Sequence, residues 1–352
     1  MSLSALRSVG DAIEVTREFL FPLSIRRWGG LAFVALFLGT AGTPIPANPQ
    51  FLLDPNLWNP PEPQPNGEAA ELPSTSELAA ELLAAIPRQV LLAVVGVVVA
   101  VAVVGALWAI LASIMRFVFV ESLRSGDVRI LGYARRRWRG GLSVFLFNLT
   151  LGLLVVPFVV ATLVLGTPVL GDPVADPVLA FAGIVTAVVG AGAAVGVGLT
   201  NQFVVPVMIR EECDVLAGWR RLSPTFLAEW KEYLTFGVVR VVLGAAVGIA
   251  VSLVVGVIAL VLFLLFGTVG GTVLLAAGGF EAISSTPILA VLGLLGALFA
   301  VSVLLVAMLA NVPFHTYLWY YALLVLGDID EGLDLVADRR ERIGREGLVG
   351  TA

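Results

Sequence analysis

The sequence predicts an all-α fold, a polytopic membrane bundle of six transmembrane helices with amphipathic interfacial helices on the cytoplasmic side. Three observations predict it. The hydrophobic fraction is 59% against 13% charged residues, and the mean hydropathy is +0.98, which no soluble globular class accommodates. Apolar runs at 29–45, 90–120, 142–165, 178–209, 235–266 and 288–326 are each long enough to cover a hydrocarbon core. The arginines cluster between alternate runs, most densely in Tyr133–Gly141, where four of them will not cross a bilayer readily and so fix that segment on the cytoplasmic side.

The chain opens, over 1–27, with an amphipathic interfacial helix. Leu6, Val9, Ile13 and Leu20 share one side at helical spacing, and Arg7, Asp11, Glu14 and Glu18 lie around the other. These acids make a poor leader for a cleaved secretory signal, so no cleavage is expected. Arg26 and Arg27 precede the first span as positive-inside flanks rather than a twin-arginine export signal, because five further apolar segments follow.

The segment 44–87 is read as an external loop. Its first part, to Pro65, holds eight prolines with Asn, Asp and Glu between them, and can neither build a helix nor bury a core. Ser74-Thr75-Ser76-Glu77 has capping-box spacing and predicts a short helix to Ile86. The second and fourth spans, 90–120 and 178–209, exceed the roughly 20 residues a bilayer needs, so they tilt or project. Tyr133–Gly141 is read as a loop, and 210–232, with Trp219 and Trp230 among mixed charges, as an interfacial helix-turn. The connection after the fifth span is apolar around Val273–Ala277. A charged cytoplasmic tail occupies 328–352.

With a cytoplasmic N-terminus and alternating spans, the outer connections hold Asp54, Glu62, Glu68, Glu71, Glu77, Glu81, Asp172, Asp176 and Glu281 but just one arginine, Arg88. The expectation is a multi-pass protein of the cell membrane with both termini inside. Twenty of the 21 basic residues are Arg, the exception being Lys231; with abundant Asp and Glu this suits a halophilic archaeal proteome, as does GC-rich coding generally.

Gly-Ala-Ala-Val-Gly occurs at 192–196 and at 244–248. Small residues four apart let helices approach closely, either within the chain as neighbours packed antiparallel, the reading we favour, or between copies as a dimer face. Six polar residues, Arg116, Asn148, Asn201, Arg240, Asn311 and His315, all fall toward the cytoplasmic half of their spans and form a candidate inner polar layer. In one reading they line a vestibule for a small molecule or headgroup, with Arg116 and Arg240 as anion contacts. In the other they snorkel or bond between helices and bind nothing.

No catalytic, cofactor or metal site is expected. The single His and single Cys cannot build a His-based zinc centre or a disulfide, and no phosphate-cradling Gly-x4-Gly-Lys-Ser/Thr run, His-Glu-x-x-His or Gly-x-Ser-x-Gly is present. The partners expected are the lipid bilayer and a protein at the cytoplasmic face, not nucleic acid; the oligomeric state is left open. Two functions compete: a non-enzymatic scaffold or partner-binding component, and a transporter or lipid- or anion-handling protein that uses the polar layer.

Several stretches together resemble a family of haloarchaeal six-helix integral membrane proteins, a domain of unknown function. They are Asp11-Ala12-Ile13 with Thr16-Arg17-Glu18-Phe19-Leu20 and Arg26-Arg27-Trp28, then Val215-Leu216-Ala217-Gly218-Trp219-Arg220-Arg221 with Glu229-Trp230-Lys231, and finally Tyr320 to Asp328. The layout is also similar to the membrane domain attached to some glycerophosphodiester phosphodiesterases, a likeness that carries no catalytic residue onto this chain. The resemblance implies a fold and a location, without an activity.

Overall fold

The computed structural model describes residues 4–21, 24–38, 88–166 and 176–339. The Pro-rich 44–87 segment, its capping box and the last part of the tail lie outside these. Among the described residues every regular element is helical: α1 Ser4–Leu20, α2 Ile25–Leu38, α3 Arg88–Ser125, α4 Ile130–Gly166, α5 Asp176–Leu199, α6 Val205–Glu211, α7 Val215–Ala228, α8 Trp230–Ala276 and α9 Thr286–Ile329. A π-helical turn, Thr200–Val204, joins α5 to α6, and short 3-10 turns follow α8 and α9.

Five stretches are long and apolar enough to cross a membrane: α3, α4, Pro177–Glu211, α8 and α9. Their apolar windows are not buried inside the protein. Val97, Val101, Leu253 and Val261 each keep about 60% or more of their surface open. Apolar area on that scale requires lipid rather than water around it. The protein is therefore a multi-pass membrane protein. Of the first expected span, 29–45, the described part is 29–38, which belongs to α2, a helix whose 14 residues reach about 21 Å; the rest lies outside the described residues.

Several helices outrun the boundaries read from sequence. Tyr133–Gly141 is not a loop but the opening turns of α4. Arg, Ala and Trp are adequate helix formers, and no Pro interrupts them. The apolar stretch after the fifth run is likewise not a separate connection, because α8 continues to Ala276 before Gly278 and Gly279 turn the chain at positive φ.

The described residues divide into two compact units. One draws on Met1–Gly39, Val118–Tyr133 and Arg221–Ala352, and the other on Thr40–Phe117 and Ala134–Arg220. In the first unit α8 and α9 form an antiparallel hairpin, and α1 and α2 pack on α9. The core lies at the C-terminal end of α9, where Leu318–Gly327 is buried together with Val118–Val120 and Leu123. Phe19 meets Tyr320 edge-on at 5.8 Å, Tyr320 donates its hydroxyl to Leu123 O at 3.1 Å, and Phe119 tilts against Trp319. After α9 the chain folds back, and Leu333, Leu335 and Val336 join this core.

The buried face of α1 differs from the expected stripe. Ser8, Ala12, Val15, Thr16, Phe19 and Leu20 are buried, while Ile13 is 58% exposed. Burial of the two hydroxyls is possible because each has a partner: Ser8 donates to Asp328 at 2.7 Å and Thr16 to Ala12 O at 2.6 Å. Val15, Phe19 and Leu20 then contribute about 2 kcal/mol apiece through burial.

In the second unit the tight contacts fall at Gly140, Gly141 and Gly218. A Cβ on Gly141 would stand 2.6 Å from Ile114 Cγ1 and 2.8 Å from Ile114 Cα. One on Gly218 would meet Val204 Cγ1 at 2.8 Å. Within its own unit the repeated pentapeptide makes few close contacts: Gly192, Gly244 and Gly248 have no heavy atom within 4 Å of the Cβ position among the described residues, and Gly196 approaches a side chain, Leu151, at 3.2 Å. Small residues permit close approach without compelling it, and within the unit the first three positions face open space.

Candidate functional site

The expected polar residues divide three and three between the units, and three of them, in the second unit, bond to one another. In the second unit Arg116, on α3, is 3% exposed and donates from Nη1 to Asn201 Oδ1 at 2.8 Å. Asn148, on α4, donates to the same oxygen from Nδ2 at 3.2 Å. Asn201 thus ties α3 and α4 to the π-helical turn that carries it. A guanidinium–amide bond of this kind contributes about 1.5–3 kcal/mol in water-soluble cores and roughly 0.6–1.7 kcal/mol between membrane helices.

The turn itself follows from local chemistry. Pro206 has no N–H, and its ring would crowd the carbonyl four residues back in a regular helix. Widening the preceding turn relieves that: Val205 N–H reaches back five residues to Thr200 O. Thr200, Asn201 and Gln202 sit on the widened turn and are all buried. Thr200 donates to Gly196 O at 2.7 Å and accepts from Trp219 Nε1 at 3.0 Å, so α7 is pinned to the same turn. Phe147 stacks obliquely on Trp219, 6.2 Å between centroids. Asn148 Oδ1, Asn201 Nδ2 and Gln202 Oε1 are buried amide atoms without a hydrogen-bond partner among the described residues.

Sequence reasoning named Asn201 but missed Thr200, Gln202 and Trp219. The signal was available: Thr-Asn-Gln is a run of three polar residues inside an otherwise apolar span. It also missed Thr162 and Thr186, whose hydroxyls meet at 2.7 Å between α4 and α5, far along α4 from Asn148.

In the first unit Arg240, on α8, donates from Nη1 to Leu318 O at 3.3 Å and lies over the Phe236 ring, 5.9 Å from its centre. Phe236 in turn stacks on Tyr321 at 5.1 Å and 19°. His315 and Tyr321 are within electrostatic reach of Arg240. Asn311 is spent locally, donating to Ala307 O one turn back on α9 at 2.7 Å. The structure therefore brings Arg116, Asn148 and Asn201 together in one group, sets Arg240 on Leu318 O, three residues along α9 from His315, and leaves Asn311 on its own helix.

Beyond the apolar windows the chain is strongly charged. Arg135, Arg136, Trp138 and Arg139 at the start of α4 are exposed. Arg136 pairs with Glu212 at 3.1 Å with both side chains more than 60% exposed, which limits that pair to well under about 1 kcal/mol. Asp127 accepts from Arg129 at 2.7 Å, and that bond holds the Asp127 carboxyl below its usual range. Cys213, in the bend between α6 and α7, has its thiol pushed up by partial burial and by the Glu211 charge. Among the described residues no three His, Cys, Asp or Glu side chains are placed to hold a metal ion.

A family model covering residues 3–336 matches almost the entire chain. The chain belongs to DUF7544, a family of unknown function. No curated protein and no solved structure matches it. For DUF7544 the match runs from residue 3, just ahead of α1, to Val336, the last of the buried apolar residues after α9, so the family spans both units described above.

Proposed function

We propose that this protein is a non-enzymatic scaffold of the cell membrane, with six spans and both termini in the cytoplasm, that presents its basic inner face to a protein partner. One observation carries the reading. The buried arginine of the polar layer, Arg116, spends its charge on Asn201, and Asn201 also holds Asn148. The layer in that unit thus acts as a brace between helices rather than a receptor for cargo. On α4 the guanidinium groups of Arg135 and Arg139 are open to solvent and flank an exposed Trp138, which Arg139 approaches at 5.5 Å. Arginines with an aromatic suit an acidic, partly apolar segment of a partner.

The six-span count adds the apolar run 29–45, read from sequence, to the five long helices, and takes α1 and α7 as helices resting at the inner interface. The arginine distribution supports the orientation, and the Arg-for-Lys bias suits a halophilic archaeal cell. The test is site-specific photo-crosslinking in intact cells. A probe at Trp138 should give a discrete protein adduct and one at Val101 only lipid. Equal outcomes at the two positions would overturn the scaffold reading.

A further inference from the structure

Arg240 is placed differently from Arg116. It starts about 13 Å along α8 from Lys231. It is half-buried, and its one hydrogen bond to a described residue, to Leu318 O, uses a single N–H of five. No carboxylate pairs with it among the described residues. Its surroundings are rich in donors. Tyr321, fully buried, has a hydroxyl with no hydrogen-bond partner among the described residues and stacks on the same Phe236 ring that Arg240 lies over. His315 is three residues along α9 from Leu318. Phe236, packed flat on Tyr321, has the guanidinium carbon over its ring at 5.9 Å, while Nη1 is engaged by Leu318 O and the remaining N–H groups keep a two-bond fork available.

We infer that Arg240, positioned by Phe236 and assisted by Tyr321, binds the phosphate group of a membrane lipid at the base of the α8–α9 hairpin. The chemistry selects the ligand. A planar fork with unused donors and no ionic partner matches a tetrahedral oxyanion. The long apolar surface of α8, open beyond Arg240 at Val241, Val242 and Leu253, gives acyl chains a bed that free phosphate cannot use. The site depends on the chain being embedded in lipid and is independent of the scaffold reading, since the α4 basic face takes no part in it.

The test uses the full chain in neutral detergent and native mass spectrometry. Phosphatidylglycerol, a phosphate-free glucosyl diacylglycerol and inorganic phosphate are titrated in separate arms. Wild type should retain phosphatidylglycerol over the glucosyl lipid, R240Q should bind it about tenfold more weakly, and Y321F a few-fold more weakly. R240K should retain an intermediate affinity, because it keeps the charge and loses the fork. Phosphatidylglycerol retained against excess inorganic phosphate supports the lipid as source. Displacement by inorganic phosphate, itself bound in the absence of lipid, would overturn that source and assign the site to the free ion. Equal retention of both lipids, or phosphatidylglycerol binding unchanged in R240Q, would overturn the site itself. Should R240Q fail to fold, R240K and Y321F decide it: unchanged binding in both overturns the proposal.

Discussion

Asn201 Oδ1 accepts from Arg116 at 2.8 Å and from Asn148 at 3.2 Å, so one amide oxygen on a π-helical turn holds a buried guanidinium and a second helix together. Asn201→Leu removes both bonds and takes from the buried guanidinium its Asn201 acceptor. A loss of about 2 kcal/mol is expected. Thermal unfolding of the detergent-solubilised protein would show it. Arg116→Met removes one of the two bonds to that oxygen and leaves the Asn148 bond in place, so it should cost less than Asn201→Leu, and the reverse order would refute the brace.

Gly141 makes a sharper steric prediction. An added methyl would stand 2.6 Å from Ile114 Cγ1 and 2.8 Å from Ile114 Cα, and backbone cannot swing aside as a side-chain tip can. Gly141→Ala should destabilise by about 1–3 kcal/mol through overpacking. Gly192→Ala and Gly244→Ala, at positions open to 4 Å, should be neutral or gain a few tenths to about 1 kcal/mol from helix propensity. Parallel melting curves of the three variants decide the matter.

These two cases mark what was legible in the sequence. The membrane class, the helical elements and the polar positions could be read because composition and spacing state them directly. Which glycines pack could not, since a small residue fixes no neighbour, and the close approaches fall at Gly141 and Gly218 rather than in the repeated pentapeptide. The inward face of α1 was misread because an apolar stripe takes no account of Ser8 and Thr16, which are buried once Asp328 and Ala12 O accept from them. Asn201 was legible as a polar intruder. Its role was not, because that depends on the turn Pro206 forces and on arginine and asparagine partners 85 and 53 residues away.

Trp219 offers a test of the same turn from outside it. Its indole N–H donates to Thr200 Oγ1 at 3.0 Å while its ring leans on Phe147. Trp219→Phe keeps much of the ring contact and loses the bond, so about 1 kcal/mol of stability should go. Thr200→Val should cost a similar amount, and the double variant little more than either single one, since both remove the same bond. Additive losses would show that the two side chains act independently.

Cys213 supplies a prediction in pH rather than energy. Partial burial first, and then the negative charge of Glu211, raise its thiol above the ordinary value. The thiolate is the reactive form, so at any pH below that raised value less of it is present than in a free cysteine. The alkylation rate of the folded protein, followed against pH, should rise at higher pH than that of a model thiol. Glu211→Gln removes the second of the causes, with burial ahead of it and the Asp214 charge behind, and should bring the curve part of the way back. Burial, with Asp214, should keep the remainder. A curve coincident with the model thiol, or one that Glu211→Gln moves to still higher pH, would contradict the surroundings found for this side chain.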